Sequence, residues 1–253
     1  MLSEERRREI LEMLQSEGRV LVGALASRFR TSQITIRKDL EFLQHEGQLE
    51  RTHGGALPVK TGALRDRSIQ EKEQMHRREK LRIAEAAVHM IRQGQVIILD
   101  SGTTTTAIAR SVRHFKSLTV ITNATNIAAE LADSSVEVIL TGGVLRKNSF
   151  SLVGPLAEES LKKLSADLLF LAVDGFDVRY GLTTPNVLEA RVNRVMAESA
   201  RRVVVVCDSS KFGQRSLALI MPTGSVHETI TDKRIPKKDL KVLREANVEV
   251  KLV

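Results

Sequence analysis

Ser32-Gln33-Ile34-Thr35-Ile36-Arg37-Lys38-Asp39-Leu40-Glu41-Phe42-Leu43 carries an apolar row, Ile36, Leu40 and Leu43, at i, i+4 and i+7, the spacing of one helix face. Ser32 stands just before it and offers a side-chain oxygen to the first free amides. The pattern therefore predicts a helix over Gln33 to Glu46, closed by Gly47. Gln33, Thr35, Arg37 and Lys38 fall off the apolar row, toward the helix start. Such a helix suits a major groove: Gln33 and Arg37 can pair with base edges, while Ser32, Thr35 and Lys38 can hold phosphates. Asp39 and Glu41 interrupt the basic surface and confine the expected contact to the first two turns.

Toward the N-terminus, Val22, Leu25, Ala26 and Phe29 predict a short helix ending near Arg30, with Thr31-Ser32 as a tight turn. Ile10, Leu11 and Leu14 predict an earlier helix, capped by Ser3 and stopped at Gly18. Toward the C-terminus, Gln48 to Ala56 reads as a strand, a Gly54-Gly55 turn and a returning strand. That wing would set Arg51 and His53 against the DNA backbone or minor groove. Residues 1–57 thus read as a winged helix-turn-helix. The alternative is a three-helix protein-interaction module with a solvated charged face.

Charge alone does not locate a nucleic-acid surface. The 253-residue chain has a net charge of +8, yet residues 1–57 hold nine basic and nine acidic side chains, so the whole excess lies beyond them. The placement of particular side chains must do the work. With no Trp and only Tyr180 as tyrosine, base stacking is a poor mechanism. The sole cysteine, Cys207, ends the run Val203–Cys207, which excludes an intrachain disulfide and reads as a buried strand. No apolar stretch nears the roughly 20 residues of a membrane span, and Met1 to Arg6 lacks the apolar core of a secretion signal. A cytoplasmic location without membrane contact is expected.

Residues 58–75, with Pro58, Gly62 and many charges, read as a linker. A helix from Met75 to Ile91 follows, whose Arg77, Arg78, Lys80 and Arg82 read as a solvated face. From there the chain alternates apolar strands (96–99, 118–121, 136–140, 168–173, 203–207) with helices (103–113, 126–132, 155–164, 186–200), ending in a strand, a helix and a strand between 226 and 252. Continuous β-branched runs separated by helices predict an α/β domain over 76–253 with a mostly parallel sheet covered on both faces.

Polar residues gather just after these strands: Asp100-Ser101-Gly102-Thr103-Thr104-Thr105, Asn123, Gly142-Gly143, Asp174-Gly175 and, beyond Asp208, Lys211. In an open parallel sheet such ends share one edge, where ligands bind. Ser101, Gly102 and Thr103 to Thr105, opening a helix, suit a phosphate, and Lys211 can neutralise it. Asp100, Asn123 and Asp174 can bind sugar hydroxyls.

Val20 to Ala26, Ser32 to Leu40 and Leu49 to Ala56 resemble the signature of the DeoR/GlpR family of transcriptional regulators. That family more often has Arg-Arg where this chain has Arg37-Lys38. The segments 99–104, 122–123, 140–143, 173–175 and 207–212 resemble the family's effector domain, similar in fold to ribose-5-phosphate isomerase and glucosamine-6-phosphate deaminase. Asn186 to Met196 resembles the Aga-type, amino-sugar branch. The resemblance implies double-stranded operator DNA and a phosphorylated sugar effector as partners, a homo-oligomer (dimer or tetramer), repression of a sugar-catabolism operon, and no metal or cofactor. The rival reading is a sugar-phosphate isomerase or deaminase with a DNA tether, using Asp174 or Glu189. It leaves residues 1–57 without a use and finds no histidine in the polar turns.

Overall fold

The computed structural model describes residues 2–58 and 66–253, which divide into two compact units, 1–65 and 66–253. The small unit contains α1 (Ser3–Glu17), β1 (Val20–Leu21), α2 (Val22–Arg28), α3 (Gln33–His45), β2 (Leu49–Thr52) and β3 (Gly55–Pro58). Its core joins Ile10 and Leu14 of α1 to Leu25 of α2, Ile36, Leu40 and Leu43 of α3, and Leu49 and Ala56 of the wing. The Ser32 cap forms as expected: its hydroxyl accepts from the Thr35 amide at 3.1 Å. Ser3 does not cap α1. It already lies inside the helix, the N-cap is Leu2, and the Leu2 amide donates to the Glu5 carboxylate at 3.2 Å.

The wing differs from expectation in two respects. Its turn is His53-Gly54, since Gly55 already pairs with Thr52. In addition, β1 adds a third strand, with Val20 opposite Ala56 and Leu21 opposite Gly55. A Cβ on Gly55 would meet the Val20 carbonyl oxygen at 1.9 Å. This glycine therefore serves the close approach of β1 rather than the turn. Two residues are too few to show the alternation that marks a strand.

The larger unit begins inside the stretch read as a linker. Residues 59–65 lie outside the described residues, but α4 (Ile69–Gln74) is a capped helix: Ser68 accepts from the Glu71 amide, and the Glu71 carboxylate accepts from the Ser68 amide. Next come α5 (Arg77–Val88), β4 (Val96–Leu99), α6 (Thr103–Val112), β5 (Thr119–Thr122), α7 (Thr125–Leu131) and β6 (Glu137–Leu140). A hairpin of β7 (Val144–Arg146) and β8 (Ser151–Val153) leads to α8 (Pro155–Lys162) and β9 (Ala166–Leu171). The remaining elements are β10 (Gly175–Asp177), β11 (Gly181–Thr184), α9 (Val187–Glu198), β12 (Ala200–Val206), β13 (Ala218–Met221), β14 (Glu228–Thr231), α10 (Lys237–Glu245) and β15 (Glu249–Leu252).

Among the described residues, seven strands form one sheet in the order β15-β14-β12-β9-β4-β5-β6, every neighbouring pair parallel. Strand side chains alternate between its two faces. Ile98, Leu169, Leu171, Val203 and Val205 join a core with α8, α9 and α10. Ile97, Leu99, Leu168, Phe170, Val204 and Val206 join another with α5, α6 and α7. Burial on both faces is why these strands read as unbroken apolar runs. No helix among the described residues is long and apolar enough to cross a membrane.

Candidate functional site

In the small unit the cap sets the first turn of α3. The Ser32 and Thr35 hydroxyls lie 2.9 Å apart, so both are engaged at the helix start. Gln33, Arg37 and Lys38 are exposed beyond them, and Arg51 on β2 and His53 in the wing turn are exposed as well. The expectation for Asp39 is corrected. It does not interrupt the surface: it is buried, accepting from Arg6 Nε at 2.5 Å and Arg7 Nε at 2.9 Å. Two arginines of α1 thus pin α3 from behind, and the carboxylate is spent inside the fold. Glu41 stays exposed, 3.9 Å from Arg51.

In the larger unit the chain runs from β4 outward through β5 and β6, then returns to β9 and continues on the other side. The crevice at this reversal, past the strand ends, is where parallel sheets bind ligands. It is lined by Asp100 to Thr104 after β4, Ala172 to Asp174 after β9, and Cys207, Asp208 and Lys211 after β12. Gly102 is needed for proximity, since a Cβ there would meet Ala172 Cβ at 2.7 Å. It is also the N-cap of α6 and has no side chain to cap the helix, so the first-turn amides and their partial positive charge remain available at the pocket.

Five expected residues stand elsewhere. Thr105 turns inward and donates to the Gly102 carbonyl at 2.9 Å. Asn123 is buried one strand away and donates to the Leu152 carbonyl at 3.2 Å. Gly142 and Gly143 follow the edge strand β6, where Gly143 packs against the Val153 backbone. Gly175 starts β10 beneath the Gln214 backbone. Asn123, Gly142 and Gly143 do follow strands of the shared edge, but the strand order carries β5 and β6 away from the crevice.

Other residues reach the pocket from helices. Lys72 of α4 pairs with Asp174 at 2.6 Å. Lys80 of α5, expected on a solvated face, is instead buried and donates to the Lys72 carbonyl. Glu189 and Asn193 of α9 complete the wall with Arg67, His76, Ser149 and Thr184. Glu189 accepts from Arg146 at 3.0 Å and Ser151 at 2.8 Å, while the second Arg146 nitrogen pairs with Asp66. The sequence carried a signal for these. Lys80 sits in the row Lys80, Ile83, Ala84, Ala87, and Glu189 and Asn193 sit with Val192 and Met196. A polar residue within the apolar row of a helix marks a buried polar site.

The charges are mutually adjusted. Burial, then the neighbouring Glu189 carboxylate, pushes the Asp100 carboxyl well above the usual range. With its amide turned to donate, Asn193 lies 3.1 Å from Asp100 Oδ1. Burial opposes ionisation of Asp174, but Lys72 and then Lys211 outweigh it and hold its carboxyl below the usual range. Burial, only partly offset by Asp208, lowers the Lys80 ammonium to about 8. Burial likewise pushes the Cys207 thiol up, consistent with an inert core side chain. The pocket thus brings cations and helix amides together with two carboxyls that the surroundings shift in opposite directions, Asp100 up and Asp174 down.

Comparison with known proteins agrees with both halves. Residues 6–61 match the DeoR-like helix-turn-helix domain and residues 75–233 the DeoR C-terminal sensor domain. A protein of Escherichia coli O157:H7 named for repression of the aga operon is 43% identical over 98% of this chain and 93% of its own. The HTH-type transcriptional regulator GlpR of Haloferax volcanii is 39% identical over 99% and 98%. Among solved structures, ribose 5-phosphate isomerase A of Methanocaldococcus jannaschii is similar at 17% identity over 53% of each chain, with a TM-score of 0.40, too low to carry function. With a helix-turn-helix unit at one end, a sensor domain at the other, and relatives matched along nearly their whole length, the chain belongs to the DeoR family of DNA-binding transcriptional regulators.

Proposed function

We propose that this chain represses a sugar-catabolism operon and that a small phosphorylated sugar in the α6 pocket releases it from DNA. One observation carries the ligand class: Lys72, Lys80 and Lys211 converge with the uncapped start of α6 on a pocket that also holds Asp100, Asp174 and Glu189. A phosphate is met by the cations, by Ser101, Thr103 and Thr104, and by the helix amides. The carboxyls and Asn193 take the sugar hydroxyls. On the DNA side, Gln33 and Arg37 read bases, Ser32, Thr35 and Lys38 hold phosphates at the start of α3, and Arg51 and His53 hold the wing to the backbone. A neutral small unit binds modestly alone, so the functional species is a homo-oligomer that presents several such units to repeated half-sites.

The route between the sites runs through α4. Arg67, Lys72, Met75 and His76 all line the pocket and belong to the segment that residues 59–65 join to the small unit. The cavity encloses about 60 Å³, well short of the roughly 300–1,000 Å³ usual for small-molecule sites. A sugar phosphate enters by drawing Lys72 off Asp174, and α4 moves with it. A preference of about 5.5 kcal/mol for the released state takes DNA occupancy from 99:1 to 1:99.

The test is a thermal-shift panel of sugar phosphates, inorganic phosphate and free sugars, followed by gel-shift titration of the stabilising compound. A ligand that binds the native state raises its melting temperature. Stabilisation by a phosphorylated sugar, not by its free sugar, with release of DNA, supports the reading. If no sugar phosphate alters either melting or DNA affinity, the sensor assignment is wrong.

A further inference from the structure

Ile34 lies in the first turn of α3 and is 65% exposed. Helical spacing puts it beside Arg37 and Lys38, at i+3 and i+4, both also exposed. The apolar cluster of the small unit gathers Ile36, Leu40 and Leu43 from the same helix, and it includes Ile34 neither in its core nor among the half-buried side chains packed on it. Phe42, the other large exposed apolar side chain of α3, has the Arg7 guanidinium 3.7 Å over its ring. Ile34 is thus an aliphatic group held outward, amid a hydrogen-bonding and cationic face. Helix propensity gives no reason for it, since Gln, Glu or Lys would serve an exposed position better. Its position is also well set, because the Ser32 cap anchors the turn that carries it.

Among the groups that base pairs display in the major groove, the apolar one is the C5 methyl of thymine. We infer that Ile34 packs on a thymine methyl in the DNA this chain recognises, so that α3 selects T at one position beside those read by Gln33 and Arg37. The inference rests on the placement of α3 in the major groove proposed above. It adds a specificity contact made by shape and burial, where the rest of the face acts through hydrogen bonds and charge.

The experiment uses the full chain and a duplex recovered by wild-type binding from a pool of random sequences. Each thymine is replaced in turn by deoxyuridine, which removes the methyl and nothing else. At one thymine per bound small unit, deoxyuridine weakens wild-type binding by about fourfold, the worth of one buried methyl. Ile34→Ala binds the parent duplex more weakly and no longer distinguishes T from U there, while Ile34→Val keeps the discrimination. Identical T-to-U ratios for wild type and Ile34→Ala at every position overturn the inference. So does a change of assembly state on sedimentation of Ile34→Ala, which would turn Ile34 toward protein. The parent reading fails separately: if Arg37→Ala and Lys38→Ala also bind unchanged, α3 does not enter the groove.

Discussion

The α3 face proposed to read DNA is one continuous run, Ser32 to Lys38, at the start of one helix. The proposed ligand pocket instead draws on three strand ends of the main sheet and four helices, α4, α5, α6 and α9, with Lys72 and Lys211 standing 139 positions apart in the chain. The two regions also treat charge differently. Around α3 the cations Arg37 and Lys38 are left in water, and the buried Asp39 carboxylate is satisfied by Arg6 and Arg7 within the fold. In the pocket, cations and carboxyls are buried together and adjust one another. A surface site needs only a correctly capped helix. A buried site needs the whole sheet to be in register first.

The comparison can be broken at its structural end. Asp39→Ala leaves two arginines against the core without their acceptor and should cost about 3–5 kcal/mol, the usual penalty for halving a buried ion pair. Calorimetry should show the small unit's transition fall while the larger unit's ligand-induced shift is retained. A transition that does not move would mean Asp39 merely fills space. In the pocket, Asp174→Asn strips Lys72 of its partner and a sugar hydroxyl of its charged acceptor. Titration calorimetry should report a loss of sugar-phosphate affinity of about 10- to 100-fold, and DNA affinity in the absence of ligand should fall as well, because the Lys72–Asp174 pair that holds α4 in the proposed mechanism is already broken.

Three further effects, none larger, sharpen it. Arg37→Ala should weaken specific DNA binding by about tenfold to a hundredfold, the range of one good base contact, and relax selectivity at one position of the recovered sequence. Lys80 titrates near 8, and its ammonium is the form that meets an anion. Sugar-phosphate affinity should therefore be greatest below that pH and fall about tenfold between pH 7 and 9. Lys80→Met should bind more weakly and lose this dependence; a steep fall that persists in the variant would assign it to another group. Lys38→Ala should weaken binding to all sequences alike and reduce the salt slope of log K by about one.

How much could be read in advance follows the same division. The α3 helix, its Ser32 cap and its exposed polar residues were legible because helix period and capping are local properties. The apolar strands of the sheet and the alternation with helices were legible for a similar reason: burial on both faces leaves an unmistakable run such as Val203–Val206. Strand β1 was not, because two residues carry no period and its pairing depends on Gly55, over 30 positions away. The linker reading of 58–75 erred over α4. That helix has a single turn and a half, a charged sequence, and a Lys72 whose purpose is visible only against Asp174.

The sequence by itself determined that this chain is a helix-turn-helix unit followed by a parallel α/β domain with polar strand ends. Those features rest on side-chain spacing within ten or so residues. Tertiary structure alone decided which strand ends share a site. The order of the sheet turns Asp100, Asp174 and Lys211 into one pocket, and sends Asn123, Gly142 and Gly143 to other work. It also decided that Lys80 and Glu189 lie inside and that Asp39 sits on the buried side of α3. A buried charge is stable only beside its partners, and those partners are brought together by the fold, not by proximity along the chain.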